Sequence, residues 1–140
     1  MKARVLDASV VAAAFFQEPH AKAGRSLLTS KLELLAPELI VAELANVIWK
    51  RRSRGEIDAA EARDLLRDFL SLPLRLTASD SLAEAALELA MRTGRTVYDS
   101  LYLALAVRAR SVMVTADKRL VNSLAATPLA KHVAWIGNIG

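Results

Sequence analysis

The sequence predicts an α/β fold built on a mainly parallel sheet, and three observations carry that prediction. Short apolar runs alternate along the chain with stretches of helical periodicity, the order produced when helices cross over between parallel strands. Two of the runs, ARVL at 3–6 and SVMV at 111–114, are mostly apolar and each stops close to an aspartate, Asp7 or Asp117. The stretch 98–110 has the length of a helix and is apolar nearly all round, which demands deep burial.

Each element follows from local pattern. Residues 3–6 read as a buried first strand, and 8–17 and 20–30 as helices. A second strand is expected at 33–36 (ELLA), and Pro37 suits the first turn of the helix that follows. From there to Arg54 the spacing is helical, with Ile40, Leu44, Val47 and Ile48 on one face and Gly55 as the stop. Residues 58–70 form a clear amphipathic helix with Leu65, Leu66 and Phe69 inward, and 73–76 a brief strand. A helix over 80–92 closes near Gly94, before the apolar helix at 98–110. The strand at 111–114, a short helix at 117–125 and a last strand at 131–136 (KHVAWI) complete the series, with GNIG as a loose tail. At 140 residues, with no repeats, linker or low-complexity tract, residues 1–140 are expected to form a single domain with a real core.

Composition narrows the class. The hydrophobic fraction is 54% with few aromatics, so the core is aliphatic. No apolar run reaches the roughly 18 residues that span a bilayer, so no membrane partner is expected. Cysteine is absent, which excludes disulfides and thiolate metal sites and fits a cytoplasmic location. The net charge of +4 fits nucleic acid as a partner. Positive charge gathers in KRRSR at 50–54 and again at Arg92, Arg95, Arg108, Arg110, Lys118 and Arg119. Solvated helix ends, where cations suit the macrodipole, account for such runs about equally well.

Four acids in apolar surroundings carry the functional argument: Asp7, Glu43, Asp99 and Asp117. Taken singly, three of them read as helix caps. Asp7 and Asp117 follow strands, and Asp99 stands three residues after Thr96 in a T-x-x-D variant of the capping box. Glu43 resists that reading, since it lies inside its helix at the border of the apolar face. In a parallel sheet the strand ends and the following helix starts share one edge, where ligands bind. If the first and fourth strands are neighbours, Asp7 and Asp117 meet there and Glu43 and Asp99 approach from flanking helices. Unit charges about 4 Å apart repel by about 4 kcal/mol at an effective dielectric near 20, so some acids stay protonated or a divalent cation neutralises them. Oxygen ligands without Cys, in a chain with two His, favour Mg²⁺ or Mn²⁺ over zinc. His20 and His132 are assigned to a helix start and a strand end rather than to ligation.

The pieces VLDASVV, ELIVAELANVIWKRRSRGEI, GRTVYDSLYLALA and VMVTADKRL, in that order, resemble the PIN-domain family, and within it the VapC-type toxins of bacterial and archaeal toxin–antitoxin pairs. The resemblance spans essentially the whole chain. Each motif alone is weak; D-x-S, E-x-x-N, YDS-x-YLALA and T-x-D in sequence are fairly specific together. The resemblance implies a PIN-like three-layer α/β/α sandwich and a Mg²⁺- or Mn²⁺-dependent endoribonuclease leaving 5′-phosphate and 3′-hydroxyl ends. Asp7, Glu43, Asp99 and Asp117 match the family's four acids, as metal ligands and catalytic groups. Ser9, Asn46 and Thr115 match polar companions that orient ligands, although local caps and turn bonds explain them nearly as well. The implied partners are an RNA substrate, a cognate antitoxin whose peptide often sets an Arg against the acids, and a second copy in a homodimer. Since the acids would repel RNA, Lys50, Arg51, Arg52, Arg95 and Lys118 are expected to frame them and bind backbone phosphates.

Two other classes compete. A phosphoaspartate phosphatase or receiver-type domain also places an Asp after its first strand, but the former wants a second acid where Ser9 stands and the latter an acid pair that is missing. A non-catalytic RNA- or protein-binding module has little reason to hold four mutually repelling charges.

Overall fold

The computed structural model describes residues 2–138. Five strands, β1 (Ala3–Leu6), β2 (Glu33–Pro37), β3 (Leu74–Thr77), β4 (Val112–Thr115) and β5 (Val133–Trp135), form one sheet in the order β3-β2-β1-β4-β5. Every pairing is parallel. The chain builds outward from β1 through β2 to β3, then returns to the other side of β1 for β4 and β5. The strand order therefore reverses between β1 and β4, which are in register at Leu6 and Val114. Crevices outside the carboxyl ends of strands at such a reversal are the usual ligand sites of open α/β sheets.

The helices are α1 (Ala8–Phe15), α2 (Ala21–Leu28), α3 (Leu39–Ser53), α4 (Ala59–Leu70), α5 (Ala83–Thr93), α6 (Val97–Arg108) and α7 (Lys118–Leu124). α6 lies against β1, β2 and β4 with α5 packed on it, while α1 lies against β4 and gathers α2 and α3, with α4 on α3. The result is the expected α/β/α arrangement. Ser100 through Ala106 are all buried, as an all-round apolar helix requires. Val5, Leu6, Ala36, Met113 and Val114 are fully buried in the sheet, because helices cover both faces of the central strands. No helix among the described residues is long and apolar enough to cross a membrane.

Several boundaries differ from the expectation. Pro37 closes β2, paired with Thr77, and does not open the next helix; it lies past the last β1 pairing, where a missing N–H leaves no ladder bond unmade. The predicted strand over 131–136 begins as a 3-10 turn, Pro128–His132, which Thr127 caps by accepting from the Leu129 N–H, so β5 is three residues long. Of the expected tail, Gly137 and Asn138 belong to a further 3-10 turn, and residues 139–140 lie outside the described residues. Gly55 ends α3 as predicted: at φ 74° it lets its own N–H reach the Arg52 carbonyl and the Glu56 N–H reach that of Arg51.

Candidate active site

β1 and β4 deliver the first two acids. Asp7 directly follows β1, and its N–H donates to the Val114 carbonyl at 3.0 Å, which ties it to the end of β4. It occupies the N-cap position of α1, yet its side chain caps nothing. Instead Asp7 Oδ2 accepts from Ser9 Oγ at 2.9 Å and from Thr115 Oγ1 at 2.7 Å. Thr115, fully buried, in turn accepts from the Asp117 N–H at 3.0 Å, and Ser9 Oγ accepts from the Ala116 N–H at 3.0 Å. Two hydroxyls thus lock the loop after β1 to the loop after β4. Asp117 has a divided role: Oδ1 caps α7 through the Arg119 and Leu120 N–H groups, while Oδ2 faces the other acids' side.

The other two acids come from helices. Asp99 sits in the first turn of α6, where its N–H donates to Thr96 Oγ1 at 3.1 Å. Only that half of the capping box forms among the described residues, so the Asp99 carboxylate is left for the site. Glu43, partly buried on α3, is held by the Tyr102 hydroxyl, which donates to Oε1 at 2.5 Å. Tyr102 is one turn along α6 from Asp99 and 1% exposed. The sequence reading passed over it, although a tyrosine within a wholly buried helix must find a partner for its hydroxyl.

The charges feel one another. Burial pushes the Asp7 carboxyl above its ordinary value, the Thr115 and Ser9 hydroxyls pull it back, and Asp99 raises it again. Burial also raises Glu43, the Tyr102 hydrogen bond lowers it, and Asp7 and Asp99 both raise it. Tyr102 is driven far above the usual phenol value by burial first, then by Asp7 and Glu43, so it remains a neutral donor.

Arg95 stands among the acids. Its Nη2 lies 3.2 Å from Asp99 Oδ2 and 3.3 Å from Asp117 Oδ2. The other candidate cations lie elsewhere. Arg51 pairs with Glu18 at 2.7 Å and stacks over the Phe16 ring, while Lys118 Nζ lies 4.5 Å from the Trp135 ring centroid. Lys50 and Arg52 are exposed at the end of α3. Asn46, on α3, is exposed and makes no side-chain hydrogen bond among the described residues.

Hard carboxylate oxygens from four separate elements form a donor set suited to Mg²⁺ or Mn²⁺, and a guanidinium already stands between two of them as a cation. Among the described residues, however, no three acids or imidazoles yet surround a common point at ligand spacing. Asp7 is turned to its hydroxyls, Glu43 to Tyr102, and Asp99 and Asp117 to Arg95. The residues thus match the ion by the chemistry of their donors and not by their spacing.

Comparison with known proteins agrees with this architecture. The family model of the PIN domain matches residues 4–123. Ribonuclease VapC3 of Pyrobaculum aerophilum is 30% identical over 124 residues, 87% of this chain and 95% of the relative. The crystal structure of PAE2754 from Pyrobaculum aerophilum superposes with a TM-score of 0.72 at 26% identity, covering 97% of this chain and 85% of that one. A chain of a toxin–antitoxin complex from Klebsiella pneumoniae shares the fold at a TM-score of 0.63 and 16% identity, covering 94% and 96%. With its five-stranded parallel sheet and acids drawn from β1, α3, α6 and β4, the chain belongs to the PIN domain family, alongside its VapC members.

Proposed function

We propose that this chain is a Mg²⁺- or Mn²⁺-dependent endoribonuclease that acts as the toxin of a toxin–antitoxin pair. The observation that carries the proposal is the cluster itself: acids far apart in sequence held at the sheet's reversal point by a dedicated network of hydroxyls. Such a cluster costs stability without a cation, and its kinship is with VapC ribonucleases.

Asp7, Asp99 and Asp117, with Glu43, would hold the cation, which when bound would supply polarisation of a phosphate oxygen and a more acidic water. The residues of the chain do the rest. Ser9 and Thr115 fix the Asp7 carboxylate, and Thr115 sets the Asp117 backbone at the same time. Glu43, its pKa raised by burial and by its acidic neighbours, accepts the proton of the attacking water, a role that gains as a carboxyl moves toward the working pH. Tyr102 holds Glu43 by one oxygen, Oε1. Lys50, Arg52 and Lys118 would supply charge for RNA phosphates beyond the acids, while Arg51 divides its charge with Glu18. Cleavage leaves 5′-phosphate and 3′-hydroxyl ends.

The partner reading rests on exposed apolar surface and on kinship. Trp49 is 61% exposed beside Ala45, Ala62 and Leu66, in an open groove between α3 and α4 of about 310 Å³. Leu87 and Met91 on α5 and Tyr98 on α6 are also exposed. Apolar surface of this extent suits an antitoxin segment and a second copy of the chain, and the Klebsiella pneumoniae neighbour comes from a toxin–antitoxin complex.

The test is incubation of the purified chain with RNA, with and without Mg²⁺ or Mn²⁺, beside Asp7→Asn. Cleavage that needs the ion and disappears in the variant is expected. Cleavage indifferent to both chelator and substitution would overturn the assignment.

A further inference from the structure

Arg95 is placed by two helix ends rather than by chance. α5 stops at Gly94, whose φ of 76° turns the chain, and α6 starts from its cap Thr96. The one residue between them is Arg95, whose own N–H is held by Thr93 Oγ1 at 3.1 Å. Its side chain is 26% exposed and leans over the first turn of α6 to reach both Asp99 and Asp117. This grip is incomplete. A single nitrogen serves both carboxylates at 3.2 and 3.3 Å, where charge-assisted pairs usually close to about 2.7–2.9 Å. The fork geometry that makes Arg–carboxylate pairs strong is not used. Nε is buried with no hydrogen-bond partner among the described residues.

We infer that Arg95 is the chain's own counter-ion for the acid cluster, standing between Asp99 and Asp117 where a divalent cation must enter, and that it sets the affinity of the site by competing with that cation. The inference rests on the metal reading above. Arg95 engages one oxygen of Asp99 and one of Asp117, and its charge opposes an incoming dication at both, so the site binds more weakly while the guanidinium stays. Each partly exposed pair of this kind is worth up to about a factor of five in an equilibrium constant. Releasing both, and removing a positive charge from beside an incoming dication, tightens binding by about tenfold. The same residue stabilises the metal-free chain, because it offsets the repulsion between Asp99 and Asp117. Neutralising it therefore makes the metal-free protein less stable and the metal complex easier to form. A residue that only supported the fold would lower both together.

The experiment is a Mn²⁺ titration of the purified chain by calorimetry, with wild type, Arg95→Gln, Arg95→Lys and Asp7→Asn side by side, and circular dichroism melts of each to establish folding. Arg95→Gln is expected to bind Mn²⁺ about tenfold more tightly than wild type and to melt lower without metal. Arg95→Lys keeps the charge and stays within about threefold of wild type, and Asp7→Asn loses most of the affinity. If Arg95→Gln, folded, binds no more tightly than wild type while Asp7→Asn weakens binding, the counter-ion role is wrong and the metal site stands. If wild type takes up no Mn²⁺, or Asp7→Asn binds as well as wild type, both fall together.

Discussion

Tyr102→Phe removes one oxygen from a residue that is 1% exposed and leaves the ring that fills the core between α6 and α3. The oxygen it removes donates to Glu43 Oε1 at 2.5 Å, and that bond is what holds the Glu43 pKa down against burial, Asp7 and Asp99. A hydrogen bond to a charged acceptor is worth about 1.5–3 kcal/mol. Glu43 keeps partial access to water, which recovers part of that on truncation, leaving about 1–1.5 kcal/mol. Without that bond the Glu43 pKa climbs further. If Glu43 accepts the proton from water, the acid limb of kcat/KM for RNA cleavage moves to higher pH, and the plateau is recovered above it. The assay is a pH–rate profile at saturating Mn²⁺, with a thermal melt as control. The melt is expected to fall by a few degrees, the equivalent of about 1 kcal/mol for a chain of this size. A lowered melting temperature with an unmoved acid limb would show that the hydroxyl only satisfies the core and that Glu43 is not the titrating base.

The metal-free protein has a stability signature of its own. Asp7 and Glu43 both have raised pKa values, so the folded chain binds their protons more tightly than the unfolded one. Their contribution is present below the ordinary carboxylate pKa and is lost as pH rises through the raised values. Asp7→Asn should therefore melt above wild type at neutral pH in the absence of metal, because the amide leaves no charge to bury and none to face Asp99. The gap should close on acidification; a variant less stable than wild type at neutral pH contradicts the clustering of the charges. Thr115→Val strands the Asp117 N–H and leaves Asp7 Oδ2 with Ser9 alone, costing about 1–3 kcal/mol and about 10–100-fold in cleavage. Thr115→Ser, which keeps the hydroxyl, should recover most of both in the same melts and rate measurements.

The sequence made some of this legible and hid the rest for definite reasons. Asp7 and Asp117 could be read because an acid straight after an apolar run lies at the strand's carboxyl end whatever the topology. Their adjacency was conditional on β1 lying beside β4, which no local pattern fixes but which the sheet order provides. Pro37 was misplaced because proline fixes a local φ without saying whether a strand or a helix supplies it, and the strand expected from residue 131 starts only at Val133. Arg95 was expected to frame the acids, but not to bridge two of them: the turn at Gly94 and the cap at Thr96 aim it there, a consequence of two helix ends meeting across one residue. Arg51 shows the converse, a member of a basic run that is spent on Glu18 and Phe16 inside the fold.

The helix-cap position, which the sequence offered for three of the four acids, is compatible in the structure with a place among the other carboxylates. Asp7 and Asp117 occupy N-cap positions, and Asp99 lies in the first turn of α6. At these places the partial positive charge of a helix N-terminus offsets about 0.3–1 kcal/mol of the cost of each carboxylate. Three of the four acids are thus tolerable because they stand where caps stand, and Asp117 caps α7 with Oδ1 while its Oδ2 accepts from Arg95. Glu43 has no such help: it lies within α3, away from the helix N-terminus. A neutral donor must come from elsewhere, and the hydroxyl of Tyr102 supplies it from α6. The fold therefore carries its charge by two separate means, helix ends for the aspartates and a buried phenol for the glutamate. Substitution at Tyr102 should accordingly register at Glu43 before it registers at any of the other three acids.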